Sequence, residues 1–229
     1  LDRLPKLVSE RWEADRSQFE QVLRDGLQIP DGTVSIAVSI DGVYAPMEDF
    51  DVTQRRAEAA NEGRMTKGPL GYREVGCATV SFCDQAGELL GAIRMARSPE
   101  SKKITLKEIV AAEVGAILRM RPELRLLKLA DGVVDNWTFL SQELPPGEEL
   151  IDYFHAAEHV HEAVAQVYGD TSLETQYRAS KLRHVLRDEP DGVDKVIRAI
   201  KHLASKHPSK HLVRRALIYF RTNRGRMHY

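Results

Sequence analysis

Two apolar runs, each closed by Asp-Gly, constrain this chain more than any other feature. Thr33-Val-Ser-Ile-Ala-Val-Ser-Ile40 is followed by Asp41-Gly42, and Leu124-Arg-Leu-Leu-Lys-Leu-Ala130 by Asp131-Gly132. Short apolar runs bounded by turn residues are the pattern of buried strands. A carboxylate where a buried strand stops, with a glycine letting the backbone turn away, can reach a metal ion at the sheet edge. Two such carboxylates, with two more strands and a helix between them, point to a paired-metal nuclease or strand-transfer site. Asp-Gly is also an ordinary turn dipeptide, so each motif alone carries either meaning.

The order of the remaining segments bears on that choice. Residues 2–26 are expected to be helical, with Leu7, Trp12, Phe19, Val22 and Leu23 at roughly helical spacing and Gly26 as the stop. Tyr44 to Gly71 is polar and irregular, which predicts a long loop with a helical turn around Gln54 to Ala60. Strands follow at Arg73–Cys83 and Leu89–Arg97, joined by the hairpin loop Asp84-Gln-Ala-Gly87. Thr105-x-x-Glu108 has the form of a capping box. The helix it would open buries Leu106, Ile109, Val110, Val114, Ile117 and Leu118. After the run ending at Asp131 come a short helix at Asp135–Ser141, a turn at Pro145-Pro146-Gly147, a short strand at Glu149–Tyr153 and a helix over 155–168. From there the pattern is all-helical, over 172–187, 192–206 and 209–222. The expected fold is α/β. A helical linker covers 1–30, a mixed-sheet core covers 31–170, and an all-helical insertion with a basic tail covers 171–229.

Apolar and charged fractions of 42% and 29% are those of a soluble globular protein. No stretch approaches the roughly 20 apolar residues needed to span a bilayer. The chain opens on Leu1-Asp-Arg-Leu-Pro5, without an initiator Met or a secretory signal pattern, and is expected to come from the middle of a longer protein. Cys77 and Cys83, on one face of one strand, cannot bridge each other and are expected to be reduced thiols in a cytoplasmic protein. The net charge of −1 conceals a split. Residues 173–229 carry 14 Lys/Arg against 5 Asp/Glu, whereas the rest carries 19 against 29. A basic C-terminal third on an acidic body fits either a phosphate-backbone partner or a set of solvated basic helices.

Three strands, a helix and a fourth strand is the order of a ribonuclease-H-like core, in which the first and fourth strands lie side by side. Several motifs strengthen that analogy: Ser39-Ile-Asp41-Gly42-Val43, Tyr72-Arg-Glu-Val-Gly-Cys77, Asp131-Gly132 with Trp137, and Ile151-Asp-Tyr-Phe-His155-Ala-Ala-Glu-His159. Together they resemble bacterial insertion-sequence transposases of the DDE type, in particular the ISKra-type group related to the mutator-like transposases. Asp152-Tyr-Phe-His155 matches that family's motif of an aspartate or cysteine, two residues and a histidine, and the tail Tyr219–Met227 resembles its basic segment.

The resemblance implies a DNA transposase core that cleaves and transfers DNA strands with two Mg²⁺ ions, or Mn²⁺ in their place. Asp41 would bridge both ions and Asp131 would hold one. It further implies DNA as partner, a homodimer or higher oligomer on that DNA, no membrane, and a bacterial, nucleoid-associated location. One departure stands out. The family needs a third carboxylate, a Glu on a helix after the helical insertion, and no Asp or Glu follows Asp194 here. The chain is therefore expected to stop short of that Glu, to bind metal weakly and to be catalytically poor. The alternatives are a non-catalytic DNA-binding or scaffold protein with a transposase-derived core, or a ribonuclease-H-like nuclease.

His155 and His159, one helical turn apart, could serve as a zinc pair, but no cysteine pair joins them and His161 points elsewhere. A structural role for Asp152 and His155 beneath the acidic site fits better. Trp137 could stack on a base or anchor its helix in the core. Among the basic residues, Arg214, Arg215, Arg221, Arg224 and Arg226 are the candidates for tracking DNA phosphates without reading bases.

Overall fold

The computed structural model describes residues 3–46, 52–63 and 72–229. Two helices, α1 (Arg3–Ala14) and α2 (Arg16–Asp25), replace the single helix expected over 2–26. β1 runs Ser35–Pro46 and continues through Asp41 rather than ending before it. α3 (Val52–Asn61) occupies part of the expected loop, whose stretches 47–51 and 64–71 lie outside the described residues. There follow β2 (Tyr72–Cys83), β3 (Leu89–Arg97), α4 (Ile104–Met120), β4 (Arg125–Ala130), α5 (Val134–Gln142), β5 (Glu148–Ile151) and α6 (Tyr153–Tyr168). Three further helices complete the chain: α7 (Leu173–Asp188), α8 (Gly192–Lys206) and α9 (His211–Thr222).

The five strands form one mixed sheet in the order β3-β2-β1-β4-β5. β1, β2 and β3 pair antiparallel, while β4 runs parallel to β1 and β5 parallel to β4. Side chains alternate across a strand, and here one face is the core. Ile36, Val38 and Ile40 of β1 sit opposite Phe82, Val80 and Ala78 of β2, and all six are buried. α4 packs on β2 and β3 and adds buried Leu106, Val110, Val114 and Ile117. The other face carries small, half-buried residues, among them Ala37, Ser39, Cys77, Thr79 and Ser81. Cys77 and Cys83 are both free thiols.

The start of α4 corrects the expected capping box. Glu108 plays no part in it; instead the Glu100 carboxylate accepts the N–H groups of Thr105 (3.1 Å) and Leu106 (3.0 Å). It thereby satisfies two donors that no helix carbonyl can reach. These hydrogen bonds outweigh the opposing effect of burial and hold Glu100 below the ordinary carboxyl range. Lys102 and Lys103, both at positive φ, reverse the chain between Glu100 and the helix, which lets a residue so far upstream act as the cap.

The C-terminal helices pack on one another, α6 against α7 and α9, and α8 against α7 and α9. Glu149 of β5 ties them to the sheet. Its carboxylate accepts from Ser141 Oγ of α5 (2.6 Å) and Arg226 Nε beyond α9 (2.6 Å). It also lies across the strand pair from buried Lys128. The Arg226 guanidinium stacks on the Trp137 ring at 4.2 Å, and the Tyr229 hydroxyl donates to the Ile151 carbonyl at 3.1 Å. Trp137 is buried and belongs to the core. No described helix is long and apolar enough to cross a membrane.

Gly132 is where α9 meets the sheet. A Cβ there would sit 2.4 Å from Cε2 of Tyr219, inside van der Waals contact with a ring that cannot retreat. Gly132→Ala should lower the unfolding free energy by about 1–3 kcal/mol in urea titrations, the usual cost of overpacking. Gly225→Ala, whose added methyl meets open space, should stay close to wild type.

Candidate acidic site at the strand ends

β1 and β4 pair in parallel from Ser35 opposite Arg125 to Ser39 opposite Leu129. β4 and β5 pair from Leu127 opposite Glu148 to Ala130 opposite Ile151. Asp41, Asp131 and Asp152 each stand two residues past the paired level of Ser39, Leu129 and Leu150, and so form a row at one end of the sheet. Asp41 thus lies inside its strand, still paired with Cys77 of β2, at the point where β4 has already ended. Asp152 is drawn into the row by its N–H, which donates to the Ala130 carbonyl at 2.9 Å.

Each carboxylate has one oxygen engaged and one free of protein hydrogen bonds among the described residues. Asp41 Oδ1 accepts the Gly42 N–H at 2.7 Å. Asp131 Oδ1 accepts the Val133 N–H at 3.1 Å and Asn136 Nδ2 at 3.2 Å. Asp152 Oδ1 accepts the Phe154 N–H at 2.7 Å and caps α6. This capping is a structural role for Asp152 that its residue type alone accounts for. The free Oδ2 atoms of Asp41 and Asp131 are hard oxygen donors, suited to Mg²⁺ or Mn²⁺. Among the described residues, no group of three His, Cys, Asp or Glu lies close enough to hold an ion.

α6 and α9 wall the site on one side. The His159 ring lies 3.9 Å from Tyr219, and His155 meets His159 edge-on at 5.7 Å. Burial pushes His159 below the ordinary imidazole range, the Glu162 carboxylate opposing the shift in part. Burial also raises the Tyr219 hydroxyl well above its usual range, and the charges of Asp131, Asp152 and Glu158 add to that. Tyr219 therefore stays a proton donor throughout the physiological range. Sequence reasoning missed Tyr219 and Asn136. Asn136 had left a signal, since it is a polar residue at a position helical spacing assigns to the buried stripe of Phe139 and Leu140.

The five candidate arginines separate. Arg226 is held by Glu149 and Trp137, Arg224 by Asp194 (2.7 Å), and Arg215 lies 3.6 Å from Glu162. Arg214 and Arg221 are exposed and make no ion pair among the described residues. They stand seven residues apart on one face of α9, about 10 Å along its axis. Lys181 and Lys206 are likewise without ion pairs among the described residues. They line a cleft of about 540 Å³ between α6, α7 and α8, together with Tyr168, Tyr177 and His202.

Compared with protein-family models and with curated proteins, the chain matches none.

The buried His159 gives a pH signature. In the unfolded chain it takes up a proton near pH 6.5, whereas folded it does so only at lower pH. As pH falls below about 6.5 the unfolded state binds more protons, and this residue's contribution turns destabilising. Urea unfolding of His159→Gln should therefore lose less stability than wild type between pH about 7 and 5. Parallel curves would show an imidazole that titrates normally.

Proposed function

We propose that this chain is the ribonuclease-H-like core of a DDE-type DNA transposase, with a helical region that contacts DNA. The observation that carries this reading is the row at the strand ends. Asp41 and Asp131 each stand two residues past the last paired level of the parallel strands β1 and β4, and each has one oxygen without a protein hydrogen bond among the described residues. Strand order β3-β2-β1-β4-β5, with α4 joining β3 to β4, supports the same core, since it puts the strands that lead to those two aspartates side by side. The motif resemblance over Asp131 to His159 supports the family.

Asp41 and Asp131 fit a hard divalent cation that keeps several waters. When bound, such ions supply charge stabilisation for an in-line displacement at a phosphodiester. The residues themselves do the rest. Gly42 and Val133 N–H groups orient the carboxylates, Asp152 anchors α6 beside them, and Tyr219 and His159 close one wall. No acidic residue follows Asp194, so the chain supplies two strand-end carboxylates where the complete chemistry uses three. A second ion of a pair would then be poorly held, so the expected activity of this chain alone is low.

Binding of Mn²⁺, followed by the paramagnetic signal of the free ion, should be weak in wild type. It should weaken about tenfold or more in Asp131→Asn and in Asp41→Asn. Unchanged binding in both variants would remove the metal-site reading and leave the non-catalytic scaffold.

For DNA, affinity for a duplex of arbitrary sequence should fall steeply and linearly on a log–log plot against salt. Arg214→Glu with Arg221→Glu should weaken it for every sequence alike, because phosphate contacts carry no base information. Arg226→Ala should instead lower stability, because its guanidinium is already committed to Glu149 and Trp137. Salt-insensitive binding, or none at low salt, would mean that the basic surface is only a solvated one.

A further inference from the structure

Asn136 has a hydrogen-bonding pattern that packing alone does not explain. It is 1% exposed, on the inner face of α5. Its Nδ2 donates to two acceptors, the Ile40 carbonyl at 3.4 Å and Asp131 Oδ1 at 3.2 Å. Both neighbours can only accept, so the amide nitrogen must face them and the orientation is settled by chemistry. Among the described residues, the Oδ1 of the same amide is buried without a partner. An orphaned buried acceptor costs stability, and an apolar side chain of the same size would avoid that cost. The amide is thus retained for its nitrogen.

The position of those two bonds is specific. The β1–β4 ladder ends at Ser39 opposite Leu129, and the Ile40 carbonyl lies just past that end. Asn136 bonds there, and from the same atom holds one oxygen of Asp131. Val133 N–H holds that same oxygen. The carboxylate is pinned through Oδ1 and keyed to β1 at the residue before Asp41, while Oδ2 is left free.

We propose that Asn136 is a positioning residue for Asp131. It latches the carboxylate to the end of β1 so that Oδ2 of Asp131 and the carboxylate of Asp41 face a common divalent cation. This rests on the reading of Asp41 and Asp131 as metal ligands. Asn136 itself touches neither the ion nor the substrate. Partners of this kind, one bond removed from a metal, typically change its affinity about 10- to 100-fold.

The test is a double-mutant cycle on Mn²⁺ affinity, measured on the whole chain from the free-ion paramagnetic signal. Asn136→Leu should weaken binding about tenfold in the wild-type background and have no further effect in Asp131→Ala. Equal weakening in both backgrounds, or none in wild type, would overturn the positioning role while leaving the metal site standing. Absence of Mn²⁺ binding to wild type would instead overturn the metal site, and the positioning role with it. Should Asn136→Leu fail to fold, the side-chain amide resonance of Asn136 in the ¹⁵N-labelled wild type serves as a second measurement. It should shift on Mg²⁺ addition and be insensitive to Mg²⁺ in Asp131→Ala. A resonance unmoved by Mg²⁺ in a wild type that binds Mn²⁺ overturns the proposal.

Discussion

Parallel pairing of β1 with β4 joins segments 90 residues apart, and the row of aspartates exists only in that register. Side chains alternate along a strand, so a one-residue slip would push Leu126 and Ala130 out of the core and shift Asp131 relative to Asp41. Burial of that face therefore enforces the register that the acidic row needs. Ile36, Val38 and Ile40 are fully buried opposite Phe82, Val80 and Ala78 of β2, and Leu126 and Ala130 continue the same buried surface. The opposite face, which carries Asp41, is the one left with small and half-buried residues. Packing on one side of the sheet sets the geometry on the other.

The helical region is bound to this sheet by polar contacts as much as by apolar ones. Glu149 gathers Ser141 and Arg226 beside Lys128. Burial by itself would raise its pKa, yet those bonds keep the carboxylate below its ordinary range and hence charged. Burial lowers the Lys128 pKa, and the neighbouring Glu149 charge limits the shift. Part of the basic charge of residues 173–229 is thus spent on structure. The part that remains exposed, on α9 and around the α7–α8 cleft, is what can meet a polyanion.

The acidic site is rigid in one sense and open in another. One oxygen of each aspartate is fixed by a short local hydrogen bond, which restricts the carboxylate rotor before any ligand arrives. The buried groups beside it are incompletely satisfied: among the described residues, Asn136 Oδ1 and the Tyr219 hydroxyl have no partner. Both adjoin Asp131, Asn136 by a direct bond and Tyr219 through its contact with Gly132. Unmet hydrogen-bonding capacity in a buried position goes against stability.

Local pattern alone determined the strand and helix succession. Period-two burial marks β1, β2 and β4, turn residues mark their ends, and helical spacing marks α4 and α6–α9 within a few residues. These features depend on neighbours in sequence, so they are legible there. The Asp-Gly pairs marked the strand ends only in part: β4 stops just before Asp131, but Asp41 lies within its strand, and Gly132 is required by the Tyr219 ring rather than by its own backbone. What only the tertiary structure decided is pairing between distant residues. It chose Glu100 over Glu108 as the cap of α4, because two left-handed lysines fold the chain back. It committed Arg226 to Glu149 and left Arg214 and Arg221 without an ion pair among the described residues, although all three look alike in sequence. And it delivered Asn136 to the end of β1, 96 residues from Ile40, a contact set by the docking of α5 on the sheet and by no local propensity.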